Sequence, residues 1–317
     1  MIDHTSNRAI PIVVLHRDEP EFLLQTVAAI RERTSAECQL FVVDNNSVTP
    51  DAKAALEQLA ADNVEVIRNR QNRWVLGFNS ALNHDHFNRD AAYYVFSDCD
   101  IVVPDRDASG SCWLTRLIEL MERTACAGKI GLSLHLGTLK ERKDLAHIYR
   151  EEIAYASGPL IGDLIVAPID TTLAIYRRDL FVMNEFWFLP GHKSLLRPYY
   201  YCLRTPLDFS ATHLGWENYG KPRDDDGEKI RCFACFGGFV DRTTLAQASI
   251  ADRIYYRVLG PLWRAVWGLV VAWHWFTYIL RRFPRGLNEL QAKARVPNAV
   301  FASRNRRPRD AASIVAD

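Results

Sequence analysis
A regular alternation of short apolar runs and helix-spaced segments fills the first hundred residues, and few folds accept it. Ile10-Pro11-Ile12-Val13-Val14-Leu15 is a β-branched run of buried-strand character. Residues 39–43 form a second such run, closed by the polar turn Asp44-Asn45-Asn46-Ser47. Residues 64–67 give a third, and residues 93–97 a fourth that ends in Asp98-Cys99-Asp100. Between them Phe22, Leu23, Thr26, Val27 and Ile30 recur at helical spacing. Residues 51–61 are Ala-rich and helical, and 77–83 read as a short helix. Asp18, with Glu21 three residues on, predicts an acidic capping box. Strands separated by helices predict βαβ units and a mainly parallel sheet flanked by helices, an α/β fold. Ligands of such sheets bind beyond the carboxyl ends of the strands. Asp18, Asp44 and Asp98 all fall just past strand ends, so three carboxylates are expected on one rim.

The middle of the chain is less periodic. Residues 113–123 read as a helix and 169–176 as a strand. Residues 184–222, aromatic and Pro-rich, read as long ordered loops, which tend to be functional. Asp224-Asp225-Asp226-Gly227 reads as an exposed acidic turn. From Ala265 to Leu280 there is no Asp, Glu, Lys or Arg, and Trp267, Trp273 and Trp275 lie within the run. This run is shorter than the ~20 residues a bilayer span needs. Trp, Tyr and flanking Arg favour a helix lying in the headgroup zone over a buried or spanning one. Three units are expected: residues 1–250 as the α/β domain, 251–285 as membrane-associating helices and 286–317 as a basic tail.

Composition excludes several function classes. At 317 residues, 48% hydrophobic and 24% charged, the chain is globular rather than disordered. A net charge of +1 argues against a bulk nucleic-acid binder. The charge is uneven: residues 281–317 carry nine Lys/Arg against three Asp/Glu, suited to anionic lipid headgroups or to a solvated end. Seven cysteines, an odd number at irregular spacing, fit a reducing compartment. Cys232-Phe233-Ala234-Cys235 lacks the second ligand pair that a zinc site needs. Met1 to Arg8 contains no apolar h-region, so the protein is expected in the cytoplasm, peripheral on the inner face of the cell membrane.

Asp98-Cys99-Asp100 carries the chemistry. Two carboxylates at a strand end can reach one hard divalent cation, Mn²⁺ or Mg²⁺, which also binds phosphate oxygens. Such an ion offsets the charge that builds on a leaving diphosphate. A bare DxD is more often a polar turn, so its context decides.

In order and spacing, several segments resemble the family 2 glycosyltransferases of the GT-A fold. They are Pro11–Leu15, Val42–Ser47, Val66–Asn69, Gly77–Asn83 and Phe96–Ile101. Downstream, Thr172–Arg178 is similar to the family's strand on the acceptor side. The resemblance implies a nucleotide-sugar donor, with UDP favoured, and a glycan or glycolipid acceptor in envelope polysaccharide synthesis. It implies that Asp44 bonds the base, that Asn72 and Arg73 flank base and ribose, and that Asp98 contacts the ribose or sugar. Asp100, with Asp98 beside it, holds the metal, and His213 in Thr212-His213-Leu214-Gly215-Trp216-Glu217 is the candidate late ligand. The family's Glu-Asp pair beyond Arg178 is not visible, which leaves the catalytic base among Asp170, Glu217 and Asp208. His16-Arg17-Asp18 also departs from the family's usual turn. Two rivals are weighed. A sugar nucleotidyltransferase needs a Gly-rich loop after the first strand, and none precedes Gly77. A degenerate, non-catalytic membrane scaffold draws on the missing Glu-Asp pair and is opposed by the retained Asp98 and Asp100.

Overall fold
The computed structural model describes residues 9–106, 109–169, 172–178, 202–219, 226–235, 240 and 242–281. The elements are, in chain order, β1 (Ile10–His16), α1 (Pro20–Arg33), β2 (Cys38–Asp44), α2 (Pro50–Ala61), β3 (Glu65–Arg68), α3 (Phe78–Leu82), β4 (Tyr93–Asp98) and β5 (Ile101–Val102). There follow α4 (Trp113–Arg123), β6 (Lys129–Gly131), β7 (Ser133–Leu134), α5 (Gly137–Glu141), α6 (Ala146–Ala156), β8 (Leu160–Ile161), β9 (Leu164–Val166) and β10 (Leu173–Arg177). The last are β11 (Cys202–Arg204), β12 (Ser210–His213), α7 (Asp226–Cys235), α8 (Arg242–Gln247) and α9 (Ile250–Arg281).

Nine strands form one sheet in the order β3-β2-β1-β4-β10-β6-β11-β9-β8. The β3-β2-β1-β4 half is parallel throughout, with Val14 opposite Val42 and Ser97. Beyond β4 the sheet is mixed: β10 runs antiparallel to both β4 and β6, while β11 is parallel to β6. The parallel expectation therefore holds throughout the first half and, beyond β4, at the β6–β11 pair.

Burial follows the two-residue period of a strand. On β1, Ile10, Ile12 and Val14 join one core cluster and Val13 the other. On β4, Tyr93 and Val95 face the first cluster, and Tyr94 and Phe96 the second. A sheet buried on both faces needs such continuous apolar strands. The first core is closed by Leu23, Val27 and Ile30 of α1, Leu56 and Leu59 of α2, and Trp113, Leu114 and Leu117 of α4. The second is closed by Phe78, Ala81 and Leu82 of α3.

Two local expectations fail. Asp18 makes no capping box. Helix α1 begins at Pro20 with no side-chain cap, and Asp18, at φ +51°, turns its carboxylate to the loop before α2. Segment 184–222 is not all loop, because β11, β12 and a 3₁₀ turn over Leu214–Asn218 lie within it. Of the acidic turn, Asp226 opens helix α7, while 224–225 lie outside the described residues. The side chains of Cys232 and Cys235 also lie outside them.

Helix α9 is 32 residues long with Pro261 inside it. Ser249 caps its start, its Oγ accepting the Asp252 N–H at 3.1 Å. Asp252 also pairs with Arg231 of α7 at 2.7 Å, and Ile230, Ala234 and Tyr256 fill the space between α7 and α9. Among the described residues, no helix is long and apolar enough to cross a membrane.

Candidate active site
The carboxyl ends of the parallel strands carry His16, Asp44, Arg68 and Asp98 side by side. Asp44 is buried, and its carboxylate accepts the Ser47 N–H at 3.1 Å and the Ser47 hydroxyl at 2.5 Å. Buried His16 stands 3.6 Å from it through Nδ1. The other ring nitrogen, Nε2, accepts the Glu19 N–H at 3.2 Å, so a neutral His16 carries its proton on Nδ1, towards Asp44 and Ser47. Burial alone would raise the Asp44 pKa. The bonds from His16 and Ser47 outweigh it and hold the carboxyl below the ordinary value.

Asp18 is the rim carboxylate that sequence position misplaces. Its Oδ1 accepts from Val48 N at 2.8 Å, Thr49 N at 2.9 Å and Thr49 Oγ1 at 3.1 Å. It holds the entry to α2.

Asn45 lays the next loop against the rim. Its Oδ1 accepts from Asn69 Nδ2 at 3.0 Å and Arg73 N at 3.3 Å, while its Nδ2 donates to the Trp74 carbonyl at 2.9 Å. A Cβ on Gly77 would come within 2.5 Å of that Asn45 oxygen, so glycine is required there. Asn72 spends its Oδ1 on the Trp74 N–H in a side-chain turn. An open pocket of about 440 Å³ results, lined by Arg68, Asn69, Arg70, Gln71 and Arg73. Three guanidinium groups in a pocket beside Asp44 suit a polar, anionic ligand.

Asp98 ends β4, Asp100 follows it, and β5 leaves immediately after. β5 pairs with β12 in antiparallel register, placing His213 opposite Ile101. This pairing sets His213 Nε2 3.8 Å from Asp100 Oδ2. Gly215 makes the approach possible, because a Cβ there would overlap the same carboxylate oxygen. His213 stacks on Trp216, with ring centroids 4.9 Å apart and an 11° tilt. Burial pushes its pKa down to about 4, against the pull of Glu152 and Glu19. The imidazole is therefore neutral at pH 7, the form that ligates metals. One carboxylate oxygen and one neutral imidazole nitrogen 3.8 Å apart, in a pocket too tight for a side chain at 215, are a donor set that fits a divalent cation.

The candidate bases are separated. Glu217 lies on the 3₁₀ turn that follows His213 and is exposed, near Arg142. Asp208 is exposed in the turn before β12, at the strand's other end from His213. Asp170 lies outside the described residues. One carboxylate went unnoticed in the sequence. Glu19, at the start of α1, accepts from Asn218 Nδ2 at 3.5 Å and from the Cys99 thiol at 3.7 Å, which places it against the Asp98–Asp100 segment. Its only signal is its place in Asp18-Glu19-Pro20 at the helix start, shared by many surface residues.

The family model described as Glycosyl transferase family 2 matches residues 12–182, over half of the chain, and the chain belongs to that family. It is a glycosyltransferase. No curated protein sequence matches it. Among solved structures it is similar to a mannosyltransferase, PcManGT from Pyrobaculum calidifontis in complex with GDP-Man and Mn²⁺. Identity is 15%, coverage is 95% of this chain and 80% of that one, and the TM-score is 0.46. It is also similar to GalNAc-T7 with UDP, GalNAc and Mn²⁺, at 12% identity, 81% and 55% coverage and TM-score 0.46. TarS 1-349 from S. aureus matches at 11% identity, 93% and 78% coverage and TM-score 0.43.

Proposed function
We propose that this glycosyltransferase takes a nucleotide-sugar donor, with UDP favoured, and passes the sugar to a hydroxyl of a lipid-linked or polysaccharide acceptor. The observation that carries this reading is the convergence of Asp100 and His213 through the β5–β12 pairing, beside Asp98 and in line with Asp44 on one rim. Asp98, Asp100 and His213 would hold Mn²⁺ or Mg²⁺, which when bound offsets charge on the leaving diphosphate. Asp44 is poised to accept a hydrogen bond from the base, and Asn72 and Arg73 flank base and ribose in the arginine-lined pocket. A carboxylate then takes the proton of the acceptor hydroxyl as its oxygen attacks the anomeric carbon, with inversion. Asp170, Glu217 and Asp208 are the proposed bases. Glu217 is favoured among the described ones, since it is exposed on the turn next to His213. The exposed side chains of Leu262, Leu269, Trp273 and Phe276 on α9 support a membrane surface as partner and a lipid-linked acceptor at its cytoplasmic side. Five free cysteines among the described residues accord with a reducing compartment. Family membership and the Asp100–His213 pair together weigh against the scaffold and nucleotidyltransferase readings.

Calorimetric titration with UDP, GDP and CMP, with and without Mn²⁺, tests the reading. One nucleotide should bind in a metal-dependent way, and Asp100→Ala should weaken that binding on the order of 10²-fold. Equal binding with and without Mn²⁺, unchanged by Asp100→Ala, would overturn the metal site.

A further inference from the structure
A second cluster of metal-binding side chains lies at the other end of the sheet. Glu65 opens edge strand β3, at the end of that strand opposite the Arg68 rim. His84 and His86 follow α3 in the loop leading to β4. His84 Nε2 stands 3.6 Å from Glu65 Oε1, and His86 Nδ1 stands 3.2 Å from Glu65 Oε2. The three potential ligand atoms all lie within 4.8 Å of one another. Each imidazole thus addresses a different oxygen of one carboxylate.

We propose that Glu65, His84 and His86 form a zinc-class site, separate from the Asp100–His213 centre, that ties edge strand β3 to the 84–92 loop. Two imidazoles and one carboxylate are the ligand set of three-residue zinc sites, with a fourth position left for water. In a tetrahedral site, bonds of about 2.0–2.1 Å put neighbouring ligand atoms about 3.4 Å apart. The two carboxylate–imidazole separations, each to a different Glu65 oxygen, lie on either side of that value, and His86 has only to swing towards the oxygen that faces His84. His86 has room to do so, its side chain being 67% exposed. The remaining frame is fixed. Gln39 Nε2 donates to the His86 carbonyl at 2.8 Å, Arg89 donates to the His84 carbonyl at 3.1 Å, and the His84 ring sits edge-on to Phe41.

Binding reverses the tautomer of each ring. In the metal-free protein each ring directs an N–H at Glu65. With zinc on His84 Nε2 the ring proton moves to Nδ1, at the expense of the long 3.4 Å bond from the His86 N–H. With zinc on His86 Nδ1 the proton moves to the exposed Nε2. One dication then replaces two proton-bridged contacts to a single carboxylate. Hard Mn²⁺ and Mg²⁺ prefer oxygen ligands and bind such a set weakly, so the two centres differ in chemistry.

Zinc chloride titrated into the full chain tests this, read by calorimetry and by thermal unfolding. Wild type and Asp100→Ala should each bind zinc with an upward shift in Tm. In the His84→Asn/His86→Asn double variant that shift should be lost and zinc affinity should fall at least tenfold, with nucleotide binding unchanged. Glu65→Gln, which keeps the shape and a neutral oxygen, should weaken zinc in the same direction. An equal zinc-induced Tm shift in the double variant would overturn the proposal, as would a wild type that takes up no zinc. Because nucleotide binding is read separately with Mn²⁺, failure here and failure of the donor site are distinguishable.

Discussion
At the scale of single residues, the rim is built from groups that constrain one another, and Asp44 shows how. Its oxygens are satisfied by Ser47, and His16 stands beside them with its proton on the facing nitrogen. These contacts hold the carboxyl below its ordinary value of 3.8 despite burial. A depressed folded pKa contributes stability that is complete above the unfolded value and is lost as pH falls through the folded one. The contribution of Asp44 is therefore present at neutral pH and disappears below about pH 3.8. Asp44→Asn should lower unfolding free energy at pH 7 by about 1.5–3 kcal/mol, the range for hydrogen bonds to a charged group. It should also flatten the stability profile in the acid region. Urea unfolding of both proteins from pH 7 to pH 3 reads this directly, and parallel profiles would refute it. The residue scale was partly legible in advance. Asp44 and Asp98 follow from standing at strand ends, and Asp100 from its spacing to Asp98. Asp18 meets the same criterion, yet its φ of +51° sends it to Val48 and Thr49, and nothing in its spacing announces that.

Elements add constraints that local sequence does not express. Arg177 on β10 reaches across to the end of α4. Its Nε donates to the Ala127 carbonyl at 2.9 Å, and one guanidinium nitrogen donates to the carbonyls of Met121 at 2.6 Å and Thr124 at 3.3 Å. It thus serves the Met121 carbonyl in the last turn of α4 and two carbonyls just beyond it, and its charge complements the negative end of the helix. Arg177→Met keeps the stem but removes every donor. It should cost about 2–4 kcal/mol of unfolding free energy in chemical denaturation, and a loss below 1 kcal/mol would show that water replaces these bonds. Runs long enough to show a period were readable from sequence. β1, β2 and β4, and helices α2 and α4, appear within a residue of their expected limits, and α1 contains all five of its helix-spaced residues, Phe22, Leu23, Thr26, Val27 and Ile30. β11 and β12, of three and four residues, fall below the length at which alternation is visible. Their strand character comes from partners far along the chain, Ile130 opposite Leu203 and Ile101 opposite His213. The same long-range pairing makes His213 a neighbour of Asp100, so the proposed cation site was legible as a set of residue types and illegible as a geometry. Glu65, His84 and His86 were missed for a related reason: a strand's first residue and two loop histidines share no local pattern.

At the scale of the whole molecule, α9 carries most of the exposed large hydrophobic side chains among the described residues. Val258, Leu262, Leu269, Trp273, Phe276 and Leu280 are all more than half exposed. At 100° per residue they fall within an arc of about 60°. A 32-residue helix extends about 48 Å, so the stripe is a long, narrow strip rather than a local patch. Arg253, Arg257 and Arg264 lie about 150° round the helix from this stripe, and Arg264 rests on the Tyr256 ring at 5.7 Å. An apolar strip of that shape, with aromatic residues in it and arginines on the other side, suits insertion at the headgroup level of a bilayer and is too interrupted to cross one. A second copy of the chain is the competing cover, and the two differ in what they predict. If lipid is the partner, the full chain sediments with vesicles containing anionic lipid, and added salt weakens the interaction. Leu269→Ser/Trp273→Ser/Phe276→Ser removes three large side chains, each giving about 1.5–3 kcal/mol when fully buried. Even half of that burial makes a loss of partitioning of about 40-fold or more. If a second copy is the partner, the same variant shifts sedimentation equilibrium from dimer towards monomer, and vesicles hold neither protein. Vesicle binding by wild type that the triple variant loses, with the monomer mass unchanged, places the active-site rim within one helix length of the membrane. An acceptor carried on lipid then reaches that rim by diffusion in two dimensions.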